Sequence, residues 1–237
     1  AVGKDALEAN TTASNNTAVG LDALTANTTG TENVAVGYNA LDANTTANYN
    51  IGIGSNALGV NSTGANNVAV GTFALDANTT ASNNTGLGYQ ALSANSTGAS
   101  NTAVGSYALV TNTTASNNTA VGYSALLYNT DGYANTAIGA EAGDAVTTGD
   151  FNVFVGKGAG GGTTTADANT AVGESSFVAN TTGASNVAMG ANALGSNTTA
   201  ASNVAIGKSA LYANTTANDN TAVGYQSLTS NTTATYN

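Results

Sequence analysis

The chain lacks the side chains on which most enzymes and metal sites depend. Among its 237 residues there is no cysteine and no histidine. Disulfides and thiolate metal sites are therefore excluded, and a serine nucleophile would have no imidazole base beside it. The carboxylates are scattered over variable positions, so no acid–base pair is predicted. We expect no catalytic residue, no metal site and no cofactor.

Positive charge is also scarce. Three Lys and no Arg stand against 13 acidic residues, and the formal net charge is −10 at neutral pH. Nucleic acids and anionic membranes bind clustered cations, so neither is expected as a partner. No stretch reaches the roughly 18 apolar residues of a transmembrane helix, so the segment is not predicted to span a membrane.

What the chain does contain is one 17-residue unit, repeated without insertion or deletion; residues 16–32 (NTAVGLDALTANTTGTE) are a clean copy. A fixed short period indicates stacked coils. The sequence therefore predicts an all-β parallel β-solenoid, or β-roll, of 14 near-identical coils forming one array over residues 1–237. Because the chain begins at Ala1 and ends at Asn237 in mid-unit, we interpret it as a window on a longer fibre.

We number the positions of the unit as columns 1 to 17 from its opening Asn. Column 1 is Asn in every copy and is predicted to form a ladder of side-chain amides, as at Asn16, Asn33 and Asn50. Column 5 is always Gly, which follows a short apolar segment. A backbone conformation that only glycine adopts cheaply would turn the chain there, so Gly20, Gly37 and Gly54 are predicted corners.

Column 2 carries Thr, Val or Ile, column 4 is always apolar and column 9 is Leu in most copies, so these three columns are predicted to form the core of each chain. Column 3 is nearly always Ala and is predicted to be a flat contact between chains, at Ala18, Ala35, Ala69 and Ala103. A coil with so few large apolar side chains is marginal alone, which favours a homotrimeric bundle.

The pattern changes in the irregular coils at 135–168, where column 9 becomes Gly143 and then Gly160. Losing a Leu leaves a cavity that a nearby Phe can fill. The alternative is a specialised contact surface that exposes Phe151 and Phe154. The sequence leaves both interpretations open.

Two further rows are candidates for recognition. Tyr recurs in column 6 and is predicted to be either an outward recognition surface or interface packing, at Tyr38, Tyr89, Tyr123 and Tyr225. Columns 12 to 14 read Asn-Thr-Thr, which suits a turn and a ladder. The same segment contains Asn-x-Thr glycosylation signals, and Asn27 with Thr29 could present a mixed Asn/Thr face to ice or another surface.

The stretches NVAVGYNA (33–40) and NVAIGKSA (203–210) resemble the head repeats of YadA-like trimeric autotransporter adhesins, and the whole unit is similar to repeats of phage tail fibres. The resemblance implies a trimer of left-handed β-rolls at a cell or virion surface that binds a host surface, a glycan or a matrix ligand. The unit is longer than in typical adhesin heads, and no binding residue is carried over. An ice-binding or surface-templating solenoid and a self-assembling structural filament remain alternatives.

Overall fold

The computed structural model describes all 237 residues and contains strands and turns but no helix. The chain divides into two compact units, Ala1–Asn117 and Asn118–Asn237. In each unit, successive strands pair in parallel, one coil with the next, as Thr17 does with Val34 in the first unit and Thr119 with Thr136 in the second. Both units are therefore parallel β-solenoids with a 17-residue coil, and the predicted fold class is confirmed.

The strands have three residues each and occupy columns 2 to 4. The first unit contains β1 Thr17–Val19, β2 Val34–Val36, β3 Ile51–Ile53, β4 Val68–Val70, β5 Thr85–Leu87 and β6 Thr102–Val104. The second contains β7 Thr119–Val121, β8 Thr136–Ile138, β9 Val153–Val155, β10 Thr170–Val172, β11 Val187–Met189, β12 Val204–Ile206 and β13 Thr221–Val223.

The glycine of column 5 ends every strand. Gly20 and Gly37 have φ of 137° and Gly54 has φ of 132°, a conformation that side chains rarely allow. A Cβ on Gly54 would also lie 2.6 Å from the carbonyl carbon of Gly71 in the next coil. The predicted corners are confirmed, and close stacking of successive corners is a second reason for glycine.

The side of the coil after the corner is a series of turns. Columns 7 and 9 adopt left-handed backbone conformations, as at Asn39 and Leu41, where φ is 53°. In this conformation the side chain of the column 9 Leu points into the coil. Its backbone N–H points toward the next coil and can donate a hydrogen bond there. Leu24 N–H, for example, donates to Ala40 O at 2.9 Å. The prediction that column 9 belongs to the core is confirmed, since Leu24 and Leu41 are fully buried.

Two columns of buried asparagines tie the coils together. In column 1, Asn33 Nδ2 donates to Ala47 O at 2.8 Å, while its Oδ1 accepts the Asn50 amide at 2.9 Å. In column 12, Asn44 Nδ2 donates to Asn27 Oδ1 at 3.0 Å. The predicted column 1 ladder at Asn16, Asn33 and Asn50 is confirmed, with backbone amides as its main donors.

The strand faces the opposite way from the prediction. The column 3 alanines lie inside the coil, with Ala18 at 1% exposure and Ala35, Ala69 and Ala103 at 0%, so they cannot contact another chain. Columns 2 and 4 point outward. The reason is the narrow interior: a Cβ at Gly52 in column 3 would already lie 3.2 Å from Leu41 Cγ. Only Ala or Gly fits beneath that Leu, and larger residues are left outside.

Phe154 is the exception in column 3, and its ring is completely buried. A Cβ at Gly143 would lie 2.6 Å from Phe154 Cδ2, so the ring occupies the space that column 9 Leu fills in other coils. The interpretation of the irregular coils as repacked core is therefore confirmed for Phe154, and the prediction that Phe154 forms part of a recognition surface is wrong. Phe151 is 54% exposed.

Candidate functional site

The outward side chains of columns 2 and 4 form an apolar stripe along each unit, which we call the strand face. Column 4 contains only Val, Ile, Leu and Met, and column 2 contains Thr, Val or Ile. Ile53 and Leu87 in the first unit are 39% and 40% exposed, and Ile138 and Met189 in the second are 42% and 41% exposed. Every column 4 side chain is at least partly exposed, and an apolar row of this kind is typical of an interaction surface.

The strand face carries no charge. All three lysines, Lys4, Lys157 and Lys208, lie in column 6, and no Asp or Glu lies in columns 1 to 5. The chain therefore combines a strongly negative total charge with one neutral, apolar side. Two copies could approach through this side without bringing like charges together.

The column 6 tyrosines are exposed but do not follow one another in adjacent coils. Tyr38, Tyr89, Tyr123 and Tyr225 are 42–70% exposed. They stand in non-adjacent coils, separated by residues such as Ser55, Thr72 and Ser106. Tyr89 packs edge to face on Tyr107 at a centroid distance of 5.4 Å. Column 6 therefore does not supply a continuous aromatic row in either unit.

The two Thr columns differ in what their hydroxyls do. In column 13 the hydroxyl donates to the backbone of the next coil, as from Thr28 Oγ1 to Thr45 O at 3.1 Å. In column 14 the side chain is exposed, as at Thr29. Asn27 in column 12 is fully buried, so the predicted mixed Asn/Thr face is wrong. Its Nδ2 is already bonded to Gly30 O at 2.9 Å, so the folded coil does not offer it for glycosylation.

Unit 2 contains one cluster that combines aromatic rings with carboxylates, which we call the aromatic corner. Tyr133 and Phe151 pack with centroids 4.8 Å apart and planes at 76°. Asp150 Oδ1 accepts the Tyr133 amide at 2.8 Å, and Asp167 Oδ1 accepts the Asp150 amide at 2.8 Å. The exposed Asp131 lies two residues before Tyr133.

Sequence reasoning identified Phe151 but missed the other four residues of the aromatic corner. Tyr133, Asp150 and Asp167 occupy the variable column 16, where no repeated pattern marks them, whereas Asp131 interrupts the Thr row of column 14. The available signal was spacing: Tyr133 and Phe151 are one period plus one residue apart, which places them diagonally on adjacent coils.

Column 10 holds three half-buried carboxyl groups. Desolvation by burial raises the pKa of Asp42, Asp76 and Asp144 above the ordinary aspartate value, against the lowering effect of nearby backbone amides. Asp42 and Asp76 line a shallow depression of about 260 Å³ with Asn39 and Asn56. No group of three or more His, Cys, Asp or Glu side chains is placed to hold a metal ion.

None of the structure's segments is a helix with the length and apolarity to cross a bilayer. No protein-family model, no curated protein and no solved structure matches the chain. What the molecule does therefore has to be inferred from its own surfaces.

Proposed function

We propose that this chain is a non-enzymatic segment of an extracellular fibre, in which it serves as a rigid spacer and adhesive surface and bundles with further copies of itself. The observation that carries the proposal is the strand face, an uncharged apolar stripe present in every coil. The extracellular location and the adhesive role are supported by the resemblance of the repeat to adhesin heads and tail fibres.

The dimensions of the strand face favour a bundle of long arrays over a pair of short ones. Strands are about 4.8 Å apart, and outward side chains two residues apart in a strand are separated by about 7 Å. One coil therefore offers only a small part of the about 800 Å² per partner that a stable interface buries. Contact area must accumulate over many coils. Three narrow stripes can converge on a common axis and cover one another, so we favour three copies.

The proposal is tested by the solution mass of the chain in sedimentation experiments. We expect the mass of three chains, and dissociation to monomers when column 4 carries charge, as in the double variant Val172→Glu/Ile206→Glu. The matched control is Thr182→Glu/Thr199→Glu, which places the same charges on exposed column 14. A monomeric parent chain, or equal dissociation of the control, would overturn the bundle. Ala103→Glu is unsuitable because Ala103 is buried and its substitution would disrupt the coil.

The same measurement separates the bundle from a self-assembling filament. A closed bundle gives one mass that stays constant as protein concentration rises. A filament grows by open-ended addition and gives a broad distribution that moves to higher mass.

An ice-binding or surface-templating solenoid is a second candidate, favoured by the exposed Thr row of column 14. Thr29, Thr46, Thr63, Thr80 and Thr97 form this row in the first unit. Thermal hysteresis and ice shaping, compared between the parent and a Thr63→Val/Thr80→Val variant, test this candidate. Activity that the variant lacks would support it, and the absence of hysteresis in the parent would exclude it.

A further inference from the structure

We infer that the aromatic corner binds a positively charged group of a partner, with an organic ammonium group as the simplest ligand. The corner consists of Tyr133, Phe151, Asp131, Asp150 and Asp167. This inference rests on the proposed adhesive role and adds the chemistry of the partner. The residues of the aromatic corner lie in columns 14, 16 and 17, whereas the strand face consists of columns 2 and 4, so different variants test the two proposals.

The two rings supply the first element of recognition. Tyr133 and Phe151 are 42% and 54% exposed although they pack against each other. Their near-perpendicular planes form two walls of a corner. Phe151 stands between Ala134 and Ala168 in column 17 of the neighbouring coils, so no large side chain of its own column covers it. The face of an aromatic ring is electronegative and attracts cations.

The carboxylates supply the second element of recognition and determine that the ligand is positively charged. Asp131, Asp150 and Asp167 lie on three consecutive coils in columns 14 and 16, and no lysine lies in these columns. Asp150 and Asp167 each use one oxygen, Oδ1, to accept a backbone amide, which fixes their position. The second oxygen of Asp150 and that of Asp167 remain for a ligand. A cation gains from both the rings and the negative field, whereas an anion is repelled.

Asparagine can replace these aspartates without disturbing the coil. In column 16 of other coils, Asn48 Oδ1 accepts the Thr31 amide at 2.7 Å and Asn218 Oδ1 accepts the Ala201 amide at 2.8 Å. Asp150→Asn and Asp167→Asn therefore keep the backbone hydrogen bond and remove only the charge.

The test is a titration of the whole chain with choline, followed by NMR of carbon-13-labelled Phe and Tyr rings. The uncharged isostere 3,3-dimethyl-1-butanol and a neutral methyl glycoside are titrated in parallel. We expect saturable shifts of the Phe151 and Tyr133 rings with choline only, in the millimolar range typical of single exposed sites. Phe151→Leu and the double variant Asp150→Asn/Asp167→Asn are each expected to weaken binding roughly two- to fivefold.

Tyr212 provides the matched control. Its ring is 45% exposed in the same unit, and its surroundings are the neutral residues Asn192, Ser209, Gln226 and Thr229. Its ring signals should not saturate with choline, and Tyr212→Leu should leave choline binding unchanged. Equal binding of the uncharged alcohol, preferential binding of the glycoside, no saturable shift, or no effect of the Phe151 and Asp variants would each overturn the proposal.

Discussion

The ring of Phe154 lies against Gly160, and a Cβ on that glycine would overlap the ring. Both residues belong to the coil that begins at Asn152, Phe154 in column 3 and Gly160 in column 9, and each deviates from the repeat. Column 3 is otherwise Ala or Gly and column 9 otherwise Leu or Phe, apart from Gly143. The large side chain has moved from one wall of the coil to the other, and two glycines make room for it.

Restoring Leu at this position should therefore destabilise the fold. Gly160→Leu is expected to lower the free energy of unfolding by about 1–3 kcal/mol or more, because the core becomes overpacked. Backbone strain is not the cause, since column 9 leucines such as Leu41 already adopt positive φ. Urea unfolding measures the loss. The triple variant Phe154→Ala/Gly143→Leu/Gly160→Leu should recover stability, and a fully stable Gly160→Leu single variant would contradict the packing.

The buried Asn ladder predicts intolerance to a nearly isosteric charge. Asn50 Nδ2 donates to Gly64 O at 2.8 Å, and its Oδ1 accepts the Asn67 amide at 2.9 Å. Asn50→Asp replaces the Nδ2 donor with an oxygen that faces Gly64 O, and it also buries a negative charge. We expect the free energy of unfolding to fall by about 3 kcal/mol or more at neutral pH.

The loss from Asn50→Asp should shrink at acidic pH, where a protonated carboxyl can donate to Gly64 O. Urea unfolding at two pH values measures both effects. Asn83→Asp is the control, because Asn83 is exposed and either residue tolerates its left-handed backbone. Equal losses at both positions would show that buried hydrogen bonding is not the cause.

The column 10 aspartates predict that stability falls as pH rises. Burial raises the pKa of Asp42, Asp76 and Asp144 in the folded state, so the folded chain holds these protons more tightly than the unfolded chain. Their contribution is therefore most favourable below the ordinary aspartate pKa and is lost as pH rises through the raised values. Thermal unfolding across this pH range should show the decline.

The variant Asp42→Asn/Asp76→Asn/Asp144→Asn should unfold at higher temperature than the parent at neutral pH and show a shallower pH dependence. Asp150→Asn/Asp167→Asn, outside column 10, removes charge without removing those three groups. A pH profile unchanged by the column 10 variant would contradict the prediction.

Thr163 predicts a stabilising substitution. This residue replaces the column 12 Asn, and its buried Oγ1 has no hydrogen-bond partner. The preceding coil already has an apolar residue, Val146, in this column. Thr163→Val should raise the free energy of unfolding by about 1 kcal/mol, because an unsatisfied buried hydroxyl is removed.

Thr147→Val is the comparison for Thr163→Val. The Thr147 hydroxyl donates to Thr164 O at 3.2 Å, so its loss should destabilise the protein by about 1 kcal/mol. Urea midpoints that move in the same direction for both variants would contradict this assignment.

The features predicted correctly from sequence are those that require one residue type in every coil. The corner at Gly54 demands a positive φ, and the ladder at Asn50 demands both a donor and an acceptor, so the repeat itself displays these requirements. The orientation of the strand was predicted wrongly because Val and Ile are usually buried in preference to Ala. Here the Leu of column 9 already fills the narrow interior, which leaves room only for Ala or Gly on the strand side.

The aromatic corner could not be read from the repeat for the opposite reason. Its residues lie where the coil tolerates many side chains, so no structural requirement marks Tyr133 or Asp150. The spacing places Tyr133 and Phe151 on adjacent coils, and the fold adds that the two rings touch. Once the positions of the columns on the coil are known, residues of the variable columns that lie next to each other can be recognised as a site.

The register of the strands has a consequence for how such a chain changes over generations. Every strand pair joins residues 17 positions apart, and so do the Asn bonds that link one coil to the next, such as the Asn50 amide to Asn33 Oδ1 and Asn44 Nδ2 to Asn27 Oδ1. Recombination between neighbouring copies of the gene can gain or lose seventeen codons at a time, and the junction then joins column to column as before. A lineage can thus alter the length of its solenoid in one genetic step while each surviving coil keeps its neighbours, whereas a change of sixteen or eighteen codons would misalign every ladder that crosses the junction.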